Sequence, residues 1–179
     1  MTVDIQGLED LSKKMDFAGE VENSIGLMGL EGNARKVSVE VLNACLVDEI
    51  ALGLALKQAH WNVKGPNFIA VHELLDNVHA RVQEQVDTIA ERVQILDGTA
   101  VGTLEAVQKF TELEPYPIGL TGIEAHLAEL CARMLKLGAK LRKGIEETEG
   151  AGDADTADVL TAASRQMDKD VWFLHSHLE

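Results

Sequence analysis

Apolar residues recur along much of the chain at the three- and four-residue spacing of amphipathic helices. The clearest case is the segment 67–96, which contains no glycine or proline. At about 100° per residue its main apolar positions fall on one stripe. They are Val71, Leu75, Val78, Val82, Val86, Ile89, Val93 and Leu96. The pattern predicts one long helix with a single core-facing side.

Three further long helices are predicted. Residues 34–64 are apolar on several sides, which indicates a helix that packs against more than one neighbour. Residues 121–149 begin with Thr121 and Glu124 at capping-box spacing and turn Leu135, among other residues, towards the core. The fourth helix is capped by Asp153 or Asp155 and extends to about residue 178.

The connection between the second and third long helices is unusually long. It contains a predicted short helix, 104–110, capped by Thr103. Four long helices with one long crossover are typical of ferritin-like bundles, so the predicted fold is an all-α, ferritin-like four-helix bundle. We expect residues 1–33 to form a partly flexible N-terminal extension and residues 34–179 to form the bundle.

Net charge narrows the choice of partner. Thirty acidic residues against 16 basic ones leave a formal charge of −14. Phosphate contacts need lysine and arginine, so this charge argues against simple electrostatic binding of nucleic acid and favours cations. No apolar run reaches the ~20 residues that span a bilayer, and no secretory signal is recognisable. We expect a cytoplasmic protein, with nucleoid association open, and buried free thiols at Cys45 and Cys131.

A second stripe on the 67–96 helix carries metal-ligand side chains. If His72 is set at 0°, Asp76 lies at about 40°, Asp87 at about 60° and Glu91 at about 100°. The two pairs, however, are separated by about 16 Å along the axis, whereas metal–ligand bonds measure about 2 Å. One helix therefore cannot close the site, but two antiparallel copies related by a two-fold axis can.

His60 joins this set through a predicted hairpin. Gly65 and Pro66 stop one helix, and Asn67 caps the next. His60 precedes this break by about one turn and His72 follows it by about one turn, so both should lie at similar height. Two imidazoles and three carboxylates, without a thiolate, suit iron, manganese or zinc.

The chain resembles the Dps family of mini-ferritins over residues 35–179. The shared motifs are AHWNVKGPNF (59–68), HELLD (72–76), DTIAER (87–92), GDADTAD (152–158), LTAASR (160–165), DK (168–169) and WFL (172–174). The resemblance implies iron storage and detoxification by a ferroxidase, which oxidises Fe(II) with hydrogen peroxide or more slowly with O2. It implies a dodecameric cage in which each di-iron site takes His60, His72 and Asp76 from one subunit and Asp87 and Glu91 from its two-fold mate. It also implies roles for Asp158 and Asp168 near intersubunit pores and for Trp61 beside the iron site.

Two other functions remain open. A DNA-compacting protein with secondary metal binding is disfavoured by the acidic charge and by an N-terminal segment that is net acidic, in contrast to the Lys-rich tails of some Dps proteins. A plain helical scaffold with incidental metal binding predicts no peroxide-dependent oxidation. An intrasubunit ferritin site is disfavoured, because no Glu-x-x-His sequence occurs.

The remaining candidates have weaker patterns. His79 lies near the ligand stripe and either supports the ligands or, as we prefer, lies at the surface. Lys57 either orients the ligands or, as we prefer, is a surface residue, and His126 is a predicted surface residue. His175 and His177 are expected to interact with the last carbonyl groups of the final helix or to bind stray metal.

Overall fold

The computed structural model describes residues 29–178, and these residues form five helices. The predicted extension lies mostly outside the described residues. The helices are α1 (Gly32–Asn62), α2 (Phe68–Ile95), α3 (Leu104–Phe110), α4 (Ile123–Gly150) and α5 (Ala154–His175). The described range contains no strand, only an isolated bridge between Lys64 and Gly122. The all-α four-helix bundle with a short fifth helix is therefore confirmed.

The four long helices enclose one apolar core. The hairpins α1–α2 and α4–α5 make the closest contacts, and α1 packs on α4 while α2 packs on α5. The predicted stripe of α2 is buried, except that Val86 is only partly buried. Leu135 was predicted to face inwards, but it is 54% exposed, because it lies about 100° around α4 from the buried Met134 and about 160° from the buried Leu137. No helix in the described range has the combined length and apolarity needed to cross a membrane.

Side-chain caps mark the start of two of the five described helices. The side chain of Thr103 accepts from the amide of Ala106 at the start of α3, as predicted. Asp153 likewise accepts from the amide of Thr156 at 3.0 Å and caps α5. The prediction of a capping box at Thr121 is wrong. The N-cap of α4 lies one residue later, at Gly122, and no side chain forms a capping bond there.

Two buried polar residues of α1 hold the crossover in place. Asn43 donates to the carbonyl of Thr99 at 3.0 Å and accepts from the amide of Val101 at 2.9 Å. Asp48 accepts from the Thr111 hydroxyl at 2.7 Å and from Lys140 Nζ at 2.7 Å. These bonds satisfy backbone groups of a long connection that lacks regular structure on either side of α3.

Ion pairs also lie inside the bundle, between α2 and α5. Arg81 Nε donates to Asp170 at 3.0 Å, and Asp170 is 1% exposed. Arg92 donates to Asp153 at 2.8 Å and to the Thr156 hydroxyl at 2.9 Å. Each buried carboxylate is thereby neutralised by a basic side chain of the neighbouring helix.

Glu49 is the exception inside the bundle. It is fully buried in α1, and neither carboxylate oxygen has a hydrogen-bond partner among the described residues. Burial, followed by the charges of Asp48 and Asp170, raises its pKa to about 8. The folded protein therefore holds Glu49 mostly as the neutral acid at pH 7.

The two cysteines are confirmed as buried free thiols. Cys45 and Cys131 are 1% and 5% exposed and form no disulfide. Burial raises the pKa of the Cys45 thiol to about 12, so it is protonated and behaves as a small apolar side chain.

Candidate metal centre

A tight turn between α1 and α2 brings the two predicted ligand histidines together. Gly65 has φ +140° and Asn67 has φ +60°, and both values lie in the left-handed half of backbone space. The amide of Lys64 donates to the carbonyl of Thr121 at 2.7 Å, which ties the turn to the segment before α4. The predicted stop and restart of the helix are confirmed, although α2 begins at Phe68 without a side-chain cap from Asn67.

The ring of each histidine, His60 and His72, contacts the backbone carbonyl of the other. The Nδ1 atom of His60 lies 2.8 Å from the carbonyl oxygen of His72, and the reverse contact is also 2.8 Å. The rings stack with centroids 3.6 Å apart, and the ring of Phe68 lies 5.0 Å from that of His72. The two imidazoles, predicted to lie at similar height, form one stacked pair.

This arrangement determines which ring nitrogens are available to a ligand. A backbone carbonyl only accepts hydrogen bonds, so each Nδ1 must carry the proton. In the neutral ring, the Nε2 atoms of His60 and His72 then present free lone pairs. A histidine that ligates a metal usually donates its other ring N–H to a carbonyl or carboxylate in this manner.

Asp76 lies one turn after His72 and is 57% exposed. Lys57 Nζ donates to its Oδ1 at 2.8 Å, and this hydrogen bond is the main cause of a lowered Asp76 pKa. Lys57 is thus not the plain surface residue predicted, because it occupies the carboxylate that the sequence marks as a metal ligand. Nearby His79 is partly buried, and burial lowers its pKa.

Asp87 and Glu91 occupy the same stripe of α2, further along the helix. Both are exposed, and neither forms an ion pair with another residue in the described range 29–178. About 16 Å of helix separates Asp87 from Asp76. No cluster of three or more His, Cys, Asp or Glu side chains within residues 29–178 is arranged to hold a metal ion. The described chain therefore brings His60, His72 and Asp76 to one end of α2 and leaves Asp87 and Glu91 apart.

The remaining predicted site residues lie at the surface. Trp61 is 68% exposed, with Lys57 Nζ 5.7 Å from its ring centroid. Asp158 is exposed, and Asp168 accepts from Arg142 at 3.1 Å. Roles for Asp158 and Asp168 in pores, and for Trp61 beside the metal, stay predictions.

The prediction for His126 is wrong. It is 1% exposed, because the segment before α4 folds over it and the hydroxyl of Tyr116 lies 2.7 Å from its Nδ1. Sequence reasoning missed this pair, since the two residues are on different elements and neither belongs to a motif. The one feature of the sequence that could have drawn attention to the pair is that Tyr116 is the only tyrosine of the chain.

An apolar groove opens on the side of α1 that faces the crossover. It has a volume of about 410 Å³ and lies between α1, α3 and the crossover. Its large apolar residues are strongly exposed: Leu54 (57%), Trp61 (68%), Leu104 (69%) and Ile118 (82%). Trp61 directly follows His60 in α1, but neither ligand histidine lines the groove.

Comparisons with known proteins identify the family. The family model described as a ferritin-like domain matches residues 39–179. The "DNA protection during starvation protein" of Agrobacterium fabrum is 47% identical over 150 residues, covering 84% of this chain and 93% of that protein. The protein of the same name from Mycolicibacterium smegmatis is 34% identical over 156 residues, covering 87% of this chain and 85% of that one.

Solved structures show the same fold. An archaeal Dps homologue from Halobacterium salinarum superposes with a TM-score of 0.84 at 28% identity, covering 95% of this chain and 94% of that one. The tetragonal form of Mycobacterium smegmatis Dps gives a TM-score of 0.81 at 35% identity, covering 87% and 95% of the two chains.

Proposed function

Because this chain belongs to the Dps family of ferritin-like proteins, we propose that it oxidises ferrous iron at a site shared by two subunits and stores the ferric product in a hollow cage. The observation that carries the proposal is the His60–His72 pair, whose paired backbone contacts leave both Nε2 atoms free for a metal. The family resemblance implies a dodecamer, with Asp158 and Asp168 near the pores through which Fe(II) enters.

The second half of the site comes from a two-fold mate in this proposal. A two-fold axis that crosses α2 between its two ligand pairs sets His72 and Asp76 of one subunit opposite Asp87 and Glu91 of the other. The exposed apolar groove supports such pairing, since a contiguous apolar surface of this kind marks an interaction site in soluble proteins.

The chemistry follows from the ligand types. Imidazole nitrogens bind ferrous iron well, and the carboxylates of Asp76, Asp87 and Glu91 favour the harder ferric product. Two irons held side by side each supply one electron to a single hydrogen peroxide, so that the oxygen–oxygen bond accepts both electrons at one site. This pairing avoids the one-electron reduction that releases hydroxyl radical. We assign the bridging carboxylate to Glu91.

The test is anaerobic loading with ferrous iron, followed by a pulse of hydrogen peroxide and measurement of ferric absorbance. Wild-type protein should oxidise iron rapidly at about two irons per peroxide, while Asp87→Ala should oxidise it as slowly as buffer and keep its fold. Glu146→Ala, which removes an exposed carboxylate of α4, is the matched control. Equal rates in wild type and Asp87→Ala would remove the shared site from consideration.

The names of the relatives favour a second function, protection of DNA. The charge of −14 opposes direct contact with phosphates. The basic side chains of α4 are also engaged within the chain, for example Lys140 with Asp48 and Lys143 with Glu147 at 3.2 Å. Protection through removal of iron and peroxide is therefore preferred to compaction. A gel shift at low salt, with and without divalent cation, separates the two.

A further inference from the structure

Tyr116 and His126 form a hydrogen-bonded pair between the crossover and α4, outside the metal site. The Tyr116 hydroxyl lies 2.7 Å from His126 Nδ1, and the two rings stack with centroids 6.0 Å apart. His126 is 1% exposed, and its Nε2 has no hydrogen-bond partner within the described residues. The pair is thus shielded from water on the histidine side.

Both members are neutral near pH 7. Burial raises the pKa of Tyr116 to about 12. Burial also lowers the pKa of His126, against a smaller opposing effect of the Leu120 backbone. A phenol donates and a neutral imidazole accepts at one nitrogen, so the Tyr116 O–H can point at Nδ1. A base already lies within proton-transfer distance of the phenol.

A fixed positive charge covers the Tyr116 ring. The guanidinium carbon of Arg133 lies 4.9 Å from the ring centroid. Arg133 is held there by Glu129 and by the carbonyls of Glu114 and Pro115, at 3.1 and 3.0 Å. This charge opposes a ring cation that keeps its proton. When Tyr116 loses an electron, simultaneous loss of its phenolic proton is therefore favoured.

The tyrosine of the pair borders a groove that contains a second oxidisable ring. Tyr116 and Trp61 line the same apolar groove of about 410 Å³. Trp61 adjoins His60 in sequence and is 68% exposed to this groove and its surroundings. An oxidant that enters the groove therefore meets two oxidisable rings.

We propose that Tyr116 and His126 form a proton-coupled electron donor that intercepts strong one-electron oxidants of the hydroxyl-radical class in this groove. The phenolic O–H bond breaks, its proton passes to His126 Nδ1, and one electron passes to the oxidant. The products are a neutral phenoxyl radical, an imidazolium and, from hydroxyl radical, hydroxide. The proposal goes beyond iron oxidation, because the step needs no metal bound to the chain.

The experiment uses the metal-free, assembled full chain and a ruthenium(III) polypyridyl oxidant generated by a laser flash. Optical and EPR spectra should show a neutral phenoxyl radical, which Tyr116→Phe abolishes, since the chain has one tyrosine. Loss of the base in His126→Gln should slow radical formation by about 100-fold. His175→Gln, at an exposed histidine in the last turn of α5, is the matched control.

The rate of radical formation in D2O tests the proposal without any variant. Wild-type radical formation should be slower in D2O, because the proton moves with the electron. Absence of the radical, an unchanged rate in D2O, or equal rates in wild type and His126→Gln would leave the pair as a structural tie only. Asp87→Ala should form the radical normally, so failure of iron oxidation and failure of this pair are distinguishable.

Discussion

Carboxylates occur in two regions of this protein that differ in what neutralises them. Inside the bundle, Asp153 and Asp170 are each 1% exposed and each is bonded to an arginine of α2. On the outer stripe of α2, Asp87 and Glu91 are exposed and form no ion pair with other described residues. The inner side of α2 thus supplies arginines to buried carboxylates of α5, while its outer stripe carries exposed carboxylates of its own.

The difference follows from the cost of removing a charge from water. A buried carboxylate must find its counter-ion within the fold, because an unpaired charge there costs several kcal/mol. An exposed carboxylate remains solvated until a cation arrives. Asp76 is intermediate: it is exposed, and Lys57 serves as its internal cation at 2.8 Å. Changes to the interior set should reduce stability, and changes to the stripe should alter metal binding.

The largest expected effect is from Arg92→Met. This change leaves Asp153 buried without its cation and should lower the free energy of unfolding by about 3–5 kcal/mol. Chemical denaturation at a fixed protein concentration measures the loss. Arg142→Met is the control: its pair with Asp168 is 49% and 62% exposed and should contribute less than about 1 kcal/mol. Similar losses in both variants would remove the distinction between interior and surface.

A change on the outer stripe of α2 should alter metal binding and leave the free energy of unfolding nearly unchanged. Glu91→Gln keeps the shape of the side chain but removes its charge, and should weaken ferrous binding by about 10–100-fold. The free energy of unfolding should change by no more than about 0.5 kcal/mol, because Glu91 is exposed. Anaerobic calorimetry with ferrous iron and a denaturant titration measure the two quantities. A large loss of stability with unchanged binding would assign Glu91 to the structural set.

Glu49 sharpens the comparison, because it is a buried carboxyl without a counter-ion. Its folded pKa is about 8 against an ordinary 4.5. The folded protein therefore keeps a proton that the unfolded chain releases, and stability should fall as pH rises from about 4.5 to about 8. Glu49→Gln should remove this part of the slope, so its stability relative to wild type should rise steadily from about pH 4.5 to about pH 8. Chemical denaturation across this pH range measures the change in stability, with Glu146→Gln as the exposed control. Parallel stability curves for wild type and Glu49→Gln would contradict a neutral buried acid.

The smallest expected effect concerns the intermediate case. Lys57→Met removes the cation that competes for Asp76 and should tighten ferrous binding by about two- to fivefold, since exposed ion pairs are weak. The effect should decrease at high salt, because salt screens the Lys57–Asp76 contact in wild type. Weaker binding in Lys57→Met would instead mean that Lys57 supports the metal site.

Particular residues show how far sequence reasoning reached. The stop at Gly65, the caps at Thr103 and Asp153, and the apolar stripe of α2 were predicted and are confirmed, because each depends on neighbours within a few residues. The similar height of His60 and His72 was also predicted, because only a short turn separates them. The exposure of Leu135 was not, because it depends on how α4 is rotated in the bundle.

The sequence by itself determined the helices, their order and the stripe that carries the candidate ligands, because the helical period is a local property of the chain. Only the tertiary structure decided which polar groups meet. Arg81 pairs with Asp170, 89 residues away, and Tyr116 covers His126. Such contacts depend on the rotation and register of whole helices against one another. Those quantities are decided by core packing of all the helices together, and no single stretch of sequence contains them.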